Sequence, residues 1–334
     1  MYVLWRADAR RALQQLAPGQ LRCVITSPPY WGLRRYGAPP LRWADGWCGE
    51  LGAEDDPRQY VAHLREVLRA VHRALHPNGT LWLNLGDTYA GGGRGPQGRT
   101  ARVAHTARQG WAGDAPAGPR WAVRAGLLRR KSLAGIPERV VLALLEDGWC
   151  LRARVVWAKR SPLPQRAADR PWASWEPLYL FTKSPRYYFD RAALRALGAE
   201  RDVWTLGPER APRGTHSATF PLALAERAIL ASTRPREWVC DPFCGSGTVV
   251  VAALRHGRRG LGVELVEAYW RAARARLRAA EHDGEGGWDG VHVRRGGRRG
   301  QAALGGDAAS PAPRQAARDG GTAEGTEWTR RGTG

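Results

Sequence analysis

The sequence predicts an α/β fold, in which helices cover both faces of a doubly wound, mostly parallel sheet. Short apolar segments alternate with amphipathic segments along residues 2–280, and this alternation is typical of such sheets. The glycine-rich segment "DPFCGSGT" (Asp241–Thr248) lies between a predicted strand and a predicted helix. A turn of this kind, at the carboxyl end of a parallel strand, is where doubly wound folds bind nucleotide-like ligands.

The first half of the chain contributes three strands and two helices to this prediction. A strand at Tyr2–Trp5 leads into a short helix, and a second strand, "LRCVIT" (21–26), ends where two prolines follow, because proline cannot donate to a sheet ladder. Over Pro57–Leu75, apolar residues recur every three or four positions, which predicts an amphipathic helix. "HPNG" (76–79) ends this helix, and "TLWLNLG" (80–86) follows as a buried strand.

In the second half, helix and strand patterns again alternate. The segments "EPLYLFTK" (176–183) and "RYYFD" (186–190) predict a hairpin around Ser184–Pro185. The remaining predicted elements, in chain order, are a helix at 132–146, a strand at 151–159, a helix at Pro221–Ser232, a strand at 237–241, a helix to His256, a strand at 260–264 and a helix at 266–280.

Two stretches lack any apolar period. Residues 90–120, in a basic region that extends to residue 130, are rich in glycine and arginine, and we expect a mobile basic loop there. Residues 282–334 contain few core-forming side chains, and we expect a disordered Gly/Arg-rich tail. The predicted organisation is therefore one catalytic domain at 1–281, followed by this tail.

The charge of the chain is strongly positive and unevenly distributed. The formal net charge is +21, with 52 Lys and Arg against 31 Asp and Glu. From His282 onward eight Arg face seven acidic residues, a net of +1, so about +20 belongs to residues 1–281. A body this basic suggests a polyanionic partner, most often nucleic acid. An Arg-rich composition that merely reflects GC-rich coding is the alternative, so charge alone leaves the partner open.

The five cysteines are an odd number and form no CxxC pair. This argues against a zinc site or a disulfide framework, and we expect reduced thiols and no bound metal. The N-terminus has no basic-then-apolar leader, and no apolar run approaches the length of a membrane span. The sequence therefore predicts a cytoplasmic protein without a membrane partner.

The glycine turn has the features of a cofactor site. Gly245 and Gly247 allow backbone torsions and close approaches that a Cβ would block, and the helix that follows offers unpaired N–H groups. Seventeen residues after Gly247, the strand "GLGVE" ends in Glu264, which is placed to accept hydrogen bonds from ribose hydroxyls. We therefore predict a nucleoside-containing cofactor; the alternative is a purely structural turn.

Asp241, just before the glycines, discriminates between the possible cofactors. A turn that binds phosphate favours lysine or a further glycine and avoids a carboxylate. Asp241 instead suits a ligand with a cationic end and no phosphate. S-adenosylmethionine has such an end, together with a ribose for Glu264, so it is favoured over NAD.

Taken together, the motifs resemble those of the amino-group DNA methyltransferases, in the permuted (beta-type) branch whose Ser-Pro-Pro-Tyr tetrapeptide precedes the cofactor turn. The segments that carry the resemblance are "TSPPYWGLRRYG", "LNLGDTYAG", "GIPERVVLALLEDGW", "RPWASWEPLYLFTKSPRYYFD", "HSATFP" and "DPFCGSGTVVVAALRHGRRGLGVEL". The resemblance covers about residues 2–280. It implies a seven-stranded, mostly parallel sheet that binds S-adenosylmethionine. We expect the target bases to be recognised by side chains of the variable residues 160–215 and of the 90–130 loop.

The resemblance also implies roles for individual residues. The catalytic turn would be Ser27, Pro28, Pro29 and Tyr30. The cofactor would be bound by Asp8, Thr219, Phe220, Asp241, Phe243, Gly245, Ser246, Gly247, Thr248 and Glu264. Independently of the resemblance, the basic composition of the 90–120 loop predicts that Arg94, Arg99 and Arg102 contact DNA phosphates.

Chemistry explains the proline turn. An exocyclic amine on cytosine or adenine is a poor nucleophile, because its lone pair is delocalised into the ring. The Ser27 hydroxyl and the Pro28 carbonyl can accept hydrogen bonds from its two N–H groups. This frees the nitrogen lone pair to attack a sulfonium methyl group. Tyr30 would stack on the target base, which must be flipped out of the duplex. Cys23, on the incoming strand, is expected to be a core residue.

Several functions remain open at the level of sequence. In the family that the chain resembles, Ser at the position of Ser27 usually accompanies cytosine N4 methylation and Asp usually accompanies adenine N6 methylation, so the resemblance favours cytosine N4 as the target. RNA or protein-glutamine methylation is less favoured, since those enzymes generally carry Asn there and place the tetrapeptide after the cofactor turn. A non-catalytic DNA-binding protein is the third alternative. Double-stranded DNA is the expected partner. The enzyme would act either in a restriction-modification system with a cognate endonuclease or as an orphan or phage methylase, and the sequence does not determine the recognition site or the oligomeric state.

Overall fold

The structure is a computed structural model that describes residues 1–33, 35–91, 118–162, 164–165, 167–207, 220–282 and 291–295. Within these ranges, no helix is both long and apolar enough to cross a membrane. The described strands and helices, in chain order, are β1 (Tyr2–Arg6), α1 (Ala9–Gln14), β2 (Leu21–Thr26), β3 (Leu41–Arg42), β4 (Cys48–Gly49), α2 (Pro57–Ala74), β5 (Leu75–Asn84), α3 (Gly118–Arg124), α4 (Ile136–Glu146), β6 (Cys150–Lys159), β7 (Trp175–Thr182), α5 (Arg191–Ala196), β8 (Val203–Leu206), α6 (Leu222–Ser232), β9 (Trp238–Asp241), α7 (Thr248–Arg255), β10 (Arg259–Glu264), α8 (Glu267–His282) and β11 (Val291–Arg295).

Nine of these strands form one sheet, in the order β11-β1-β10-β9-β2-β5-β7-β6-β8. Strand β7 runs antiparallel to both of its neighbours, β5 and β6, and the other pairs in the sheet are parallel. Central strands such as β2 and β9 are apolar and almost fully buried, as expected when helices cover both faces. The predicted α/β class with a mostly parallel sheet is confirmed.

Two edge strands, β8 and β11, extend the sheet beyond the seven strands expected from the resemblance. Strand β11 pairs in parallel with β1, although residues 282–334 were expected to be a disordered tail. Its segment, "VHVRR", is short and flanked by glycines, so its pattern alone does not reveal that the outer edge of β1 accepts it. The residues beyond 295 lie outside the described part of the chain.

The predicted hairpin around Ser184–Pro185 is wrong. The backbone N–H of Tyr188 donates to the carbonyl of Asn78, and that of Asp190 donates to the carbonyl of Ala231, so this segment crosses other elements without forming a strand. The physical reason is that β7 is already hydrogen-bonded on both edges, to β5 and to β6. A returning strand would have no free edge to pair with.

The sheet topology brings segments that are distant in the sequence to one end of the sheet, which we call the carboxyl edge. The carboxyl ends of β1, β10, β9, β2 and β5 meet there because these strands are parallel. Strand β7 runs the other way, so its amino end reaches the same edge, where Glu176 pairs in register with Trp157 of β6. Strands β7 and β8 both lie within residues 160–215, so the segment expected to recognise the target also contributes to the sheet.

Candidate active site

A cavity of about 720 Å³ opens at this edge of the sheet. It brings together predicted site residues from both ends of the chain, namely Asp8, Ser27, Pro28, Pro29, Tyr30, Phe220, Asp241, Phe243, Gly245, Thr248 and Glu264. The structure thus joins the proline turn and the glycine turn, which are more than 200 residues apart in the sequence. Thr219, Arg94, Arg99 and Arg102 lie outside the described residues.

The glycine turn is held in the conformation that its glycines allow. Gly245 has φ +50° and Gly247 has φ +81°, both in the left-handed region that favours glycine. A Cβ on Gly247 would lie 3.4 Å from the Cβ of Ala273, so this glycine also lets α8 approach closely. Ser246 likewise accepts a hydrogen bond from Arg276 of α8 at 3.4 Å and does not line the cavity.

Glu264 ties the end of β10 to the glycine turn. One carboxylate oxygen accepts a hydrogen bond from the Gly245 N–H at 2.9 Å, and the other accepts one from the Val266 N–H at 2.7 Å. Burial raises the pKa of Glu264 to about 7, although the backbone donors act in the opposite direction. The predicted ribose-binding acid therefore also supports the loop that would surround the cofactor.

Asp241 is the second buried acid of the cavity. Its Oδ1 accepts hydrogen bonds from the Thr26 hydroxyl at 2.7 Å and from the Phe243 N–H at 3.0 Å, so β2 positions the acid at the end of β9. Burial raises the pKa of Asp241 to about 7. Thr26, directly before the proline turn, thus links the two predicted motifs, a contact that the sequence pattern does not reveal.

This raised pKa predicts how stability depends on pH. The folded protein holds a proton on Asp241 up to about pH 7, whereas the unfolded chain loses this proton near pH 4. Between these two values the unfolded state therefore binds fewer protons than the folded state. The free energy of unfolding consequently falls as pH rises through this window. The part of the unfolding free energy that depends on Asp241 should decline by up to about 4 kcal/mol across this window. Urea unfolding from pH 5 to 8 should show wild type losing stability relative to Asp241→Asn; parallel curves would contradict the prediction.

The charge of the cavity differs from that of the chain as a whole. Its lining includes a single basic side chain among the described residues, Lys159, in a protein of net charge +21. The acidic side chains of the lining are Asp8, Glu50, Glu176, Asp241 and Glu264. Such a lining suits a cation and disfavours a phosphate, and together with the volume it fits the ammonium, sulfonium and ribose of S-adenosylmethionine.

Asp8 caps α1 at the rim of the cavity. Its carboxylate accepts a hydrogen bond from the Arg10 N–H at 2.9 Å and forms an ion pair with the Arg10 guanidinium at 2.8 Å. The same guanidinium lies 4.0 Å from the ring centre of Trp43, another lining residue. Asp8 is therefore held in place at the cavity, and its expected contact with the adenine of the cofactor stays a prediction.

The proline turn is fixed by side chains from three other segments. Ser27 Oγ donates to the Tyr30 hydroxyl at 3.0 Å, and this hydroxyl lies 2.9 Å from both Asn84 Oδ1 and Glu176 Oε2. The Tyr60 hydroxyl of α2 donates to the Pro29 carbonyl at 2.9 Å. Burial raises the pKa of Tyr30 well above its ordinary value, so its hydroxyl keeps its proton. Stacking of Tyr30 on a flipped base remains a prediction.

Four residues of this region were missed from the sequence. Glu176 accepts from Lys159 Nζ at 2.5 Å and from Asn84 Nδ2 at 3.4 Å, so the three side chains form one polar cluster beside Tyr30. A Cβ on Gly86 would lie 2.3 Å from Tyr30 Cε2, so only glycine leaves room for this ring. Polar residues at the ends of apolar strands, as in "TLWLN" and "VVWAK", were the available signal.

Asp87 and Cys23 have structural roles. Asp87 accepts hydrogen bonds from the N–H groups of Thr88, Gly135 and Ile136, at 2.8, 3.0 and 3.1 Å, and thereby caps the start of α4. Cys23 is fully buried on β2, and burial raises the pKa of its thiol to about 12. Its expected place in the core is confirmed, and a thiol of this kind is not a nucleophile at neutral pH.

The two ends of the segment 92–117, which is outside the described residues, lie beside the proline turn. The Gly91 N–H donates to the Pro119 carbonyl at 3.0 Å. A Cβ on Gly32, two residues after Tyr30, would lie 2.4 Å from Cγ of Pro119. The residues that flank the predicted DNA-contacting loop therefore lie next to the proline turn.

Comparison with known proteins agrees with this geometry. Residues 21–275 match the family described as DNA methylase. The chain is 38% identical to the Type II methyltransferase M.Cfr9I of Citrobacter freundii over 83% of this chain and 88% of that protein. It is 39% identical to the Type II methyltransferase M.SmaI of Serratia marcescens over 81% of this chain and 88% of that protein.

Two solved structures share the fold. The TTHA0409 protein of Thermus thermophilus, complexed with S-adenosyl-L-methionine, superposes with a TM-score of 0.60 at 24% identity, over 90% of this chain and 100% of that one. PvuII DNA methyltransferase (cytosine-N4-specific) superposes with a TM-score of 0.62 at 18% identity, over 83% of this chain and 88% of that one. The family match over most of the chain, together with the cavity that joins the two turns, shows that this chain belongs to the N6/N4 family of DNA methyltransferases.

Proposed function

We propose that this protein transfers a methyl group from S-adenosylmethionine to the exocyclic N4 of a cytosine flipped out of double-stranded DNA, at a specific site. The observation that carries the proposal is that Ser27 lines the same cavity as Asp241 and Glu264. An amine that hydrogen-bonds to Ser27 would therefore face the region where the methyl donor binds. Membership of a DNA methylase family favours DNA over RNA or protein as the substrate.

The residues of the chain prepare the amine for attack. Ser27 Oγ directs its own hydrogen toward Tyr30, which leaves its lone pairs free to accept an N–H of the target amine. The Pro28 carbonyl would accept the second N–H, while Tyr60 holds the next carbonyl, that of Pro29. S-adenosylmethionine, when bound, supplies an electrophilic methyl group on a cationic sulfur. Asp241 and Glu264 would hold its cationic end and its ribose, respectively.

Cytosine N4 is preferred over adenine N6 because residue 27 is a serine. A neutral hydroxyl occupies the place where an aspartate usually accompanies adenine N6 methylation. Adenine N6 remains the second candidate, since the cavity of about 720 Å³ does not exclude a purine. The relatives named Type II methyltransferases support a role in a restriction-modification system, with a cognate endonuclease as partner.

Nucleoside analysis tests the target base. Unmethylated double-stranded DNA is incubated with the protein and S-adenosylmethionine, digested to nucleosides and examined by mass spectrometry. We expect N4-methyldeoxycytidine, and single-molecule sequencing of the same DNA should place it at one short sequence. N6-methyldeoxyadenosine would establish the second candidate, and the absence of any methylated base would contradict the proposal.

The basic loop should supply affinity that is independent of DNA sequence. Replacing Arg94, Arg99 and Arg102 by Ala should weaken DNA binding about equally on all sequences, because these arginines are proposed to neutralise phosphates. Each lost phosphate contact removes roughly 0.9 from the slope of log affinity against log salt, so the slope should flatten by roughly two to three units. Fluorescence anisotropy at several salt concentrations measures this. An unchanged slope would indicate that residues 160–215, and not this loop, form the DNA-binding surface.

A further inference from the structure

Methylation of an amine must release a proton. As the amine nitrogen bonds to the methyl carbon, the carbon–sulfur bond breaks and its electron pair goes to sulfur. The nitrogen then carries one hydrogen too many and a positive charge, and it becomes neutral only when one N–H bond breaks. Some group near Ser27 must therefore accept a proton in each turnover.

A directed chain of hydrogen bonds leads away from Ser27. Its hydroxyl donates to the Tyr30 hydroxyl at 3.0 Å, and Tyr30 in turn lies 2.9 Å from Glu176 Oε2. The Tyr30 hydroxyl has a single hydrogen, and both Asn84 Oδ1 and Glu176 Oε2 lie 2.9 Å from it. A carboxylate is a stronger acceptor than an amide oxygen, so the Tyr30 hydroxyl can donate along the chain to Glu176. Each donor in the chain is thus oriented to pass one proton outward from the amine to the carboxylate.

Asn84 lies at the same distance from Tyr30 but is a poor proton acceptor. Its Oδ1 is 2.9 Å from the Tyr30 hydroxyl, while its Nδ2 donates to the Pro177 carbonyl at 3.1 Å and so fixes the orientation of the amide. A neutral amide oxygen is a far weaker base than a carboxylate. Asn84 therefore holds Tyr30 in position, and Glu176 is the group at which a proton can stay.

The surroundings of Glu176 suit a group that accepts a proton and then loses it. Its other oxygen, Oε1, forms an ion pair with Lys159 Nζ at 2.5 Å, which holds the carboxylate in place beside Tyr30. The Glu176 side chain is 21% exposed and that of Lys159 33% exposed, so solvent reaches the pair. Burial raises the pKa of Tyr30, so its hydroxyl keeps its proton between turnovers and serves only to transmit the proton.

We propose that Glu176, held by Lys159, is the terminal acceptor of the proton released by the target amine, which reaches it through Ser27 and Tyr30. In each turnover the amine proton moves to Ser27 Oγ, the Ser27 proton to the Tyr30 hydroxyl, and the Tyr30 proton to Glu176 Oε2. Glu176 becomes a neutral acid and then releases its proton to water. The inference rests on the proposed methylation of an exocyclic amine, since only that reaction delivers a proton to Ser27.

The test compares Glu176→Gln with Glu237→Gln. Glu237 is a matched control, because its side chain is also 21% exposed and forms an ion pair, with Arg22 at 2.9 Å, at the opposite end of the sheet strands. Single-turnover DNA methylation is measured from pH 6 to 9 at saturating S-adenosylmethionine. Glu176→Gln should lower the rate about 10²-fold and make it rise about tenfold per pH unit, because the proton must then leave to hydroxide. Glu237→Gln should keep the wild-type profile.

Further variants and readouts separate proton transfer from a merely structural role. Tyr30→Phe keeps the ring but cuts the chain, and should show the same pH dependence; the double variant with Glu176→Gln should lose no more than either single one. Cofactor affinity by calorimetry and base flipping by 2-aminopurine fluorescence should stay unchanged in Glu176→Gln. Time-resolved difference infrared spectroscopy during a single turnover should show a transient protonated carboxyl in wild type that is missing in this variant.

Each other outcome has a defined meaning. A wild-type pH profile in Glu176→Gln, or a loss of cofactor affinity and base flipping in parallel with the rate, would overturn the relay. If Glu176→Gln does not fold, Tyr30→Phe decides, and a wild-type profile in that variant overturns the relay equally. A wild-type protein that methylates no DNA base would instead refute the proposed function, a result that differs from an active enzyme with an unaltered variant.

Discussion

Replacing Ser27 by Ala is expected to lower the single-turnover rate of DNA methylation by about 10²- to 10³-fold, the usual cost of removing one aligned hydrogen-bonding group from a reaction centre. The substitution removes an acceptor for the target amine and also disconnects the amine from Tyr30, to which Ser27 Oγ donates at 3.0 Å. Cofactor affinity should not change, because Asp241 and Glu264 are held by the Thr26 hydroxyl and the Gly245 N–H, which the substitution leaves in place. Rapid-quench methylation assays and calorimetry measure the two quantities separately.

Ser184→Ala is the matched control for this experiment. Ser184 lies in the turn after β7, at the end of that strand opposite Glu176, and its hydroxyl donates to the carbonyl of Arg186 at 2.6 Å. The control should methylate DNA at the wild-type rate. A near-normal rate in Ser27→Ala would show that the amine is activated by other groups, and the assigned role of Ser27 would have to be abandoned.

Glu264→Ala should weaken S-adenosylmethionine binding by about 10- to 100-fold, because hydrogen bonds to a charged group contribute roughly 1.5 to 3 kcal/mol. The substitution removes the proposed ribose acceptor and also leaves the N–H groups of Gly245 and Val266 without their carboxylate. The glycine turn should loosen as a result. Calorimetry gives the dissociation constant, and fluorescence anisotropy should show unchanged DNA affinity.

Two further variants distinguish these effects of Glu264. Glu264→Gln keeps a carbonyl oxygen for one of the two backbone N–H groups, so it should weaken binding less than Ala does. Glu267→Ala is the control, since Glu267 is partly exposed and pairs with Arg6 and Arg271 at the start of α8. An unchanged dissociation constant in Glu264→Ala would remove this residue from the cofactor site.

Local patterns sufficed to predict most of the fold. Burial leaves a local pattern in the sequence, which is visible in the amphipathic spacing of Pro57–Ala74 and in the apolar runs of β2 and β9. Failures occurred where pairing depends on a distant edge. The outer edge of β1 accepts β11, and both edges of β7 are occupied, which excludes the expected hairpin. Whether the edge of a strand is free to pair depends on the whole sheet and cannot be predicted from a short segment.

The candidate site shows the same division. Asp241, Gly245, Gly247 and Glu264 stand in one recognisable stretch, because a glycine turn that binds a cofactor needs closely spaced residues of defined type. Glu176 was not recognised, since it follows Tyr30 by 146 residues and becomes its partner only because β7 runs antiparallel. Thr26 was likewise overlooked as the support of Asp241, 215 residues away.

By itself the sequence determined the proline turn and the glycine turn of this protein and their order, since these depend on residue type and spacing along the chain. The tertiary structure alone decided that the turns share one cavity, that this cavity is acidic within a basic protein, and that Glu176 and Lys159 stand behind Tyr30. The physical reason is that parallel strands align their carboxyl ends, whereas hydrogen bonds and burial join residues without regard to their separation in sequence.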